Sequence, residues 1–232
     1  MKLAELAFAC YVYSQMSDYD SSYCQLLKAT RPQMDFRRED HCMALLRWLN
    51  AWGCRQFAVQ YHQLAAREIE MWYEEIADRF FPFEKSLMSL SEDDFKIIQK
   101  AYSELSSRTA SKRKSRNGNM TRVKIGPTGA AKILFALRPN SLIPWDEPIR
   151  AELDIDGGGH SYCEYLRKVR NHLKELSDDC ERSGFALIDL PQKLNRRESS
   201  VAKLIDEYYW VTVTRGCSAP KEDDLRRWVS WF

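Results

Sequence analysis

Apolar residues along this 232-residue chain mostly recur three and four positions apart, the spacing of one helix face, and Pro and Gly punctuate the runs. Leu3, Leu6, Ala7, Cys10 and Tyr11 mark a helix over 2–16, and a second over 20–29 ends near Arg31–Pro32. Met43, Leu45, Leu46 and Leu49 mark a third over 38–50, broken at Trp52–Gly53. A long helix is expected from about Gln56 to Phe80, with Pro82 as its stop. Ser91, followed by Glu92, Asp93 and Asp94, opens another that runs to about Ser106, its acidic first turn suiting the helix dipole. Residues 107–121 show no apolar period and read as a mobile loop.

The stretch 122–150, RVKIGPTGAAKILFALRPNSLIPWDEPIR, reads as a short basic hairpin, a glycine turn and a helix opening at Pro127. Ala130, Ile133, Leu134 and Leu137 give that helix an apolar face, and Pro139 and Pro144 bar its continuation. Asp146, ahead of Glu147–Pro148, has the position of an N-cap for the next helix. Gly157–Gly158–Gly159 follows Asp154 and Asp156 without a preceding strand. It therefore reads as a flexible joint rather than a phosphate cradle, ahead of a helix over 160–177. Residues 185–190 suit a short strand or a helical turn, 199–210 a helix, and 211–216 (VTVTRG) a strand. The last residues, 222–232, suit a helix that docks Trp228, Trp231 and Phe232 on the core. The expected fold is all-α with at most one or two short strands. It forms one domain over 1–232, with room for two lobes: 1–105 plus the C-terminal helices, and 106–180.

Charge changes this picture locally. The formal net charge is only +2, so the whole molecule offers no electrostatic case for a nucleic-acid partner. Between Glu104 and Asp146, however, there is no acidic residue, while Arg108, Lys112, Arg113, Lys114, Arg116, Arg122, Lys124, Lys132 and Arg138 fall in that interval. Such segregation suits a polyanion track, with a solvated basic loop as its plain counterpart. Seven scattered cysteines without a C-x-x-C pair fit a reducing compartment, and neither they nor the four histidines have metal-ligand spacing. No metal or cofactor is implied. The first twenty residues carry too short an apolar run for a signal peptide or a membrane span, so a cytoplasmic, monomeric protein without membrane contact is expected.

The stretch 122–150 resembles the helix-hairpin-helix signature of DNA glycosylases of the endonuclease III and 8-oxoguanine glycosylase type. In that family an apolar-Pro-Gly-apolar-Gly hairpin is followed by an apolar residue and the catalytic Asp. Gly126 matches the second hairpin glycine, Ala130 and Leu134 the buried helix positions, and Trp145–Asp146 the apolar-Asp pair. Upstream, LNAWGCR (49–55) is similar to the family's LSAQATD-type segment, which puts Trp52 at the position of the residue that wedges into the base stack. Two positions depart from the pattern. Lys124 replaces the first hairpin glycine, and Thr128 stands where lyase members carry a Schiff-base lysine.

The resemblance implies a monofunctional DNA N-glycosylase acting on a damaged or modified base flipped out of double-stranded DNA. Asp146 is then the catalytic carboxylate, and Arg122, Lys124, Gly126, Thr128, Gly129, Lys132 and Trp52 are the DNA-contacting set. Lys132, one turn beyond Thr128 on the same face, is an alternative amine. Two other classes fit the residues alone: a non-catalytic helix-hairpin-helix nucleic-acid-binding protein, and a helical protein-interaction domain in which Asp146 is only a cap.

Overall fold

The computed structural model describes residues 1–16, 18–115 and 117–221; the expected helix over 222–232 lies outside them. Ten α-helices and one two-stranded antiparallel sheet make up the described residues. In chain order these are α1 (Leu3–Met16), α2 (Tyr19–Ala29), α3 (Glu39–Ala51), α4 (His62–Ile76) and α5 (Glu92–Ser107). Then come β1 (Thr109–Lys114), β2 (Met120–Lys124), α6 (Gly126–Leu137), α7 (Glu147–Glu152) and α8 (Gly159–Arg182). The short α9 (Leu190–Lys193) and α10 (Val201–Tyr209) follow, and α10 passes into a π-helical turn over Trp210–Thr214. The fold is all-α with a single small ribbon.

At the centre lies α6. Its residues Gly129 to Leu137 are buried except Lys132, so it is apolar almost all round rather than on one face. A helix of that kind has to be enclosed by others. Packing on α6 are α3 and α5, with α8 on the outer side of α5. Local signals explain several boundaries. The Ser91 side chain accepts a hydrogen bond from the Asp94 amide while Asp94 accepts from the Ser91 amide, a reciprocal cap that starts α5.

Some elements differ from the sequence pattern. The long helix expected over 56–80 is α4 alone, with a 3-10 turn at each end, Val59–Tyr61 and Ala77–Arg79. The loop expected over 107–121 is largely strand. The strand expected over 211–216 is the π-helical turn, where β-branched residues continue a helix instead of pairing. Of the two alternatives for 185–190, the helical turn is the one formed, as a 3-10 turn over Leu187–Asp189.

Gly157–Gly159 is no flexible joint. Gly159 is buried at the start of α8, where a Cβ would stand 2.5 Å from the Gln99 carbonyl oxygen and 2.3 Å from Ser103 Oγ, both on α5. Gly159 is therefore what lets α8 approach α5. Replacing Gly159 by alanine has to push a backbone apart, and a loss of about 1–3 kcal/mol is expected in urea unfolding. An unchanged midpoint would show that the two helices tolerate separation.

Candidate functional site

A loop without regular structure, Arg138–Asp146, carries the sequence from the end of α6 to the start of α7. Three tyrosines hold it from beneath. Tyr162 donates to the Ile143 carbonyl (3.0 Å), and Tyr165 donates to the Pro144 carbonyl (3.2 Å). The Tyr102 hydroxyl accepts from Trp145 Nε1 (3.2 Å) and lies 3.2 and 3.1 Å from the carbonyls of Pro127 and Gly157, one of which it serves at a time. Burial drives all three phenols above their ordinary range, so they remain donors at any physiological pH. Trp145 is enclosed by these rings. The loop is thus rigidly seated, and its last residue, Asp146, is only half-buried.

Both oxygens of Asp146 are oriented. Oδ1 accepts the Ile149 amide at 3.1 Å, so the residue is the N-cap of α7 as its position suggests. Oδ2 accepts from Thr214 Oγ1 at 3.1 Å, a contact delivered by the π-helical turn. The carboxylate lines a cavity of about 260 Å³. That is just under the usual range for small-molecule sites, about 300–1,000 Å³, and suits one flat ring system. Tyr13, Tyr19, Trp52, Trp145 and Trp210 supply aromatic walls. Thr128, Lys132, Asp206 and Thr214 join Asp146 as polar groups.

The residues singled out in the sequence fall into three groups. Asp146, Thr128, Lys132 and Trp52 meet at this cavity. The Lys132 ammonium donates to the Trp52 carbonyl (2.7 Å) and lies 5.4 Å from the Trp52 ring centre, so its amine is engaged. Thr128 accepts from Arg150 (3.2 Å). Trp52 is 7% exposed, packed on Trp48 and Phe135, with its indole N–H donating to the Tyr19 carbonyl. Its ring is a cavity wall with no free edge to enter a duplex.

Gly126 and Gly129 form the second group, shaping the turn into α6. Gly126 has φ +70°, which an L side chain rarely adopts, while Gly129 is buried against Gln56, Ile125 and Phe57. Lys124, in place of a first hairpin glycine, sits in an ordinary strand. Arg122 and Lys124 make up the third group, exposed on β2 away from the cavity lining.

Other members of the basic tract are spent on structure. Arg108 pairs with Glu75 at 2.7 Å. Arg138 is buried, donates to the Phe81 carbonyl and lies over the Phe80 and Phe81 rings.

Sequence reading missed the opposite wall. Asp206, on α10, ends an alternating chain of charges that runs from half-buried Asp20 and Arg196 to buried Glu207, Lys203 and Asp206. Asp20 pairs with Arg196 (2.5 Å), Arg196 with Glu207 (2.5 Å), and Glu207 with Lys203 (3.1 Å); Lys203 in turn pairs with Asp206 (3.3 Å). Burial raises the Asp206 carboxyl above the usual range and the nearby Asp146 charge adds to this, while Lys203 opposes it. The Lys203–Glu207 spacing in the sequence resembles an exposed helix pair, and nothing local marks it as interior. Trp210 is half-buried at the cavity. π-helical turns often mark functional sites, and this one sets both Trp210 and Thr214.

No cluster of His, Cys, Asp and Glu fit to hold a metal occurs among the described residues, and no helix among them is long and apolar enough to cross a membrane. Comparison with protein-family models, curated proteins and solved structures returned no match.

Proposed function

We propose that the chain is a monofunctional DNA N-glycosylase, and that the cavity receives a base turned out of duplex DNA while Asp146 faces its sugar. The observation that carries this reading is one oriented carboxylate at the rim of a small aromatic-walled cavity. Breaking an N-glycosidic bond sends the bonding electrons to the base and leaves positive charge on the sugar. A fixed anion beside that carbon stabilises it, and a water that attacks there gives its proton to the same carboxylate. Aromatic rings on several sides replace the stacking that the base loses on leaving the duplex. The amides of the Gly126 turn and the cations of β2 supply the anchor for the strand.

The test is alkali-labile abasic-site formation in a panel of duplexes, each carrying one damaged or modified base. Release of a base without strand cleavage is the expected result. Borohydride is expected to trap no covalent adduct, because Thr128 has no amine and the Lys132 amine is held by the Trp52 carbonyl. An adduct that disappears on Lys132→Ala would reassign the chemistry to that lysine. A non-catalytic DNA-binding protein is the second reading, favoured by the capping bond that Asp146 makes to Ile149. Binding without base release across the panel would support it.

A further inference from the structure

The ribbon formed by β1 and β2 sorts its charges by face. Its register pairs Lys112 with Arg122, Lys114 with Met120, Arg113 with Thr121, and Ser111 with Val123. Side chains directly opposite share a face and alternate along each strand. Lys112, Lys114, Arg122 and Lys124 therefore project from one side. The other side turns inward at its root, where Ser111 is buried and donates to the Gln56 carbonyl. Four of the five ribbon cations among the described residues thus form one exposed surface. Lys112 and Arg122 stand directly opposite each other, an arrangement that disfavours strand pairing. None of the four has an acidic partner within 4 Å among the described residues, whereas Arg108 at the ribbon's root does.

Neighbouring cations on such a face are about 5–7 Å apart, so one small anion cannot neutralise the set. A chain of repeated negative charges can. The ribbon's root also ties it to the cavity. β2 runs through Ile125 into the Gly126 turn and α6, which contributes Thr128 and Lys132 to the lining. Gln56, which donates to the Ile125 carbonyl, follows closely on Trp52 and Gly53 of the same lining.

We propose that this face of the ribbon is an arm that lies along the phosphates of duplex DNA flanking the nucleotide held in the cavity. The choice of duplex DNA rests on the glycosylase reading, while the polyanion surface rests on the ribbon alone. The arm supplies affinity without sequence preference, since phosphates carry no base information.

The experiment is fluorescence anisotropy with a short fluorescein-labelled DNA duplex over a range of salt. It compares the wild-type chain, Lys112→Glu/Arg122→Glu, and a control with the same charge change on an exposed face of α8, Lys168→Glu/Lys174→Glu. Each neutralised phosphate contributes about 0.9 to the log–log salt slope. The ribbon variant is expected to flatten the slope by about two and to weaken binding at low salt by at least tenfold. Its circular dichroism and thermal unfolding should match wild type, since both side chains are exposed.

An unchanged slope in the ribbon variant, or an equal loss in the control, overturns the arm and leaves the glycosylase reading standing. A wild-type chain with no salt-dependent duplex binding overturns both. Tighter binding to an RNA duplex or to single strands than to duplex DNA overturns the stated partner.

Discussion

Asp146→Asn is expected to abolish base release, lowering the rate by at least about 10²-fold, the scale on which single electrostatic groups act in transition states. Stability and duplex affinity should barely change. Asparagine is as good an N-cap as aspartate, and its side-chain oxygen can keep the Ile149 amide bond that starts α7. The substitution therefore separates two roles that coincide at this residue. If Asp146 acts only as a cap, Asp146→Asn would match wild type in every assay, and Asp146→Ala alone would show an effect, about 0.5–2 kcal/mol in unfolding. Under the catalytic reading both variants lose activity, and only the alanine loses stability. Thr214→Val gives a graded check: it removes the donor to Oδ2 (3.1 Å) without touching the cap. A several-fold slower rate with unchanged unfolding is expected, because the carboxylate keeps its charge but loses one of its two restraints.

Much of the frame around that carboxylate is legible as local chemistry. Pro127 at the start of α6, the Ser91–Asp94 reciprocal cap and the Asp146 cap are short-range signals, and each stands where the pattern puts it. The ribbon was legible only at its second strand, as a short basic hairpin at 122, and its first strand falls where a loop is expected. Its outer half is exposed on both faces, so its residues have no apolar alternation to betray a strand. The π-helical turn was hidden for the opposite reason, since Val211, Thr212, Val213 and Thr214 carry strong strand preference and tertiary packing overrode it.

The cavity was legible only on one side. Asp146, Thr128 and Lys132 lie in one continuous stretch, whereas Tyr13, Tyr19, Asp206 and Trp210 come from both ends of the chain and meet by packing of α1 against α10. Lys203 and Glu207 are spaced like an exposed ion pair; only the burial of α10 shows them to be interior.

That interior pair carries the second large expectation. Lys203→Met should destabilise the fold by about 3–5 kcal/mol, the usual cost of stranding buried carboxylates without their cation. For a chain of this size that is a fall of roughly 10 °C in Tm. Lys203 and Glu207 are fully buried, Asp206 is 9% exposed, and Glu207 Oε2 already lacks a partner among the described residues.

The pH dependence distinguishes loss of charge from loss of packing. In the wild type the Lys203 pKa is held well above 10.5, despite burial, by Glu207 and Asp206. Its stabilisation is thus complete below 10.5 and is lost only as pH rises through the folded value. In the variant, Glu207 and Asp206 keep the burial that raises them and lose Lys203, the cation that lowers both most. Arg196 still faces Glu207, and Lys132 still faces Asp206. The folded state then binds protons that the unfolded state does not, across the range above the ordinary carboxylate values. Stability must therefore rise as pH falls.

Urea unfolding at pH 8 and pH 5 should show a deficit relative to wild type that is clearly larger at pH 8. A deficit of the same size at both would mean that methionine merely packs badly between Tyr13 and Trp52, whose ring centres lie 4.2 and 5.1 Å from the ammonium. Adding Asp206→Asn and Glu207→Gln to Lys203→Met should recover a good part of the loss at pH 8. The uncompensated charges are then gone, and the cavity wall formed by α10 is built from neutral groups of the same shape.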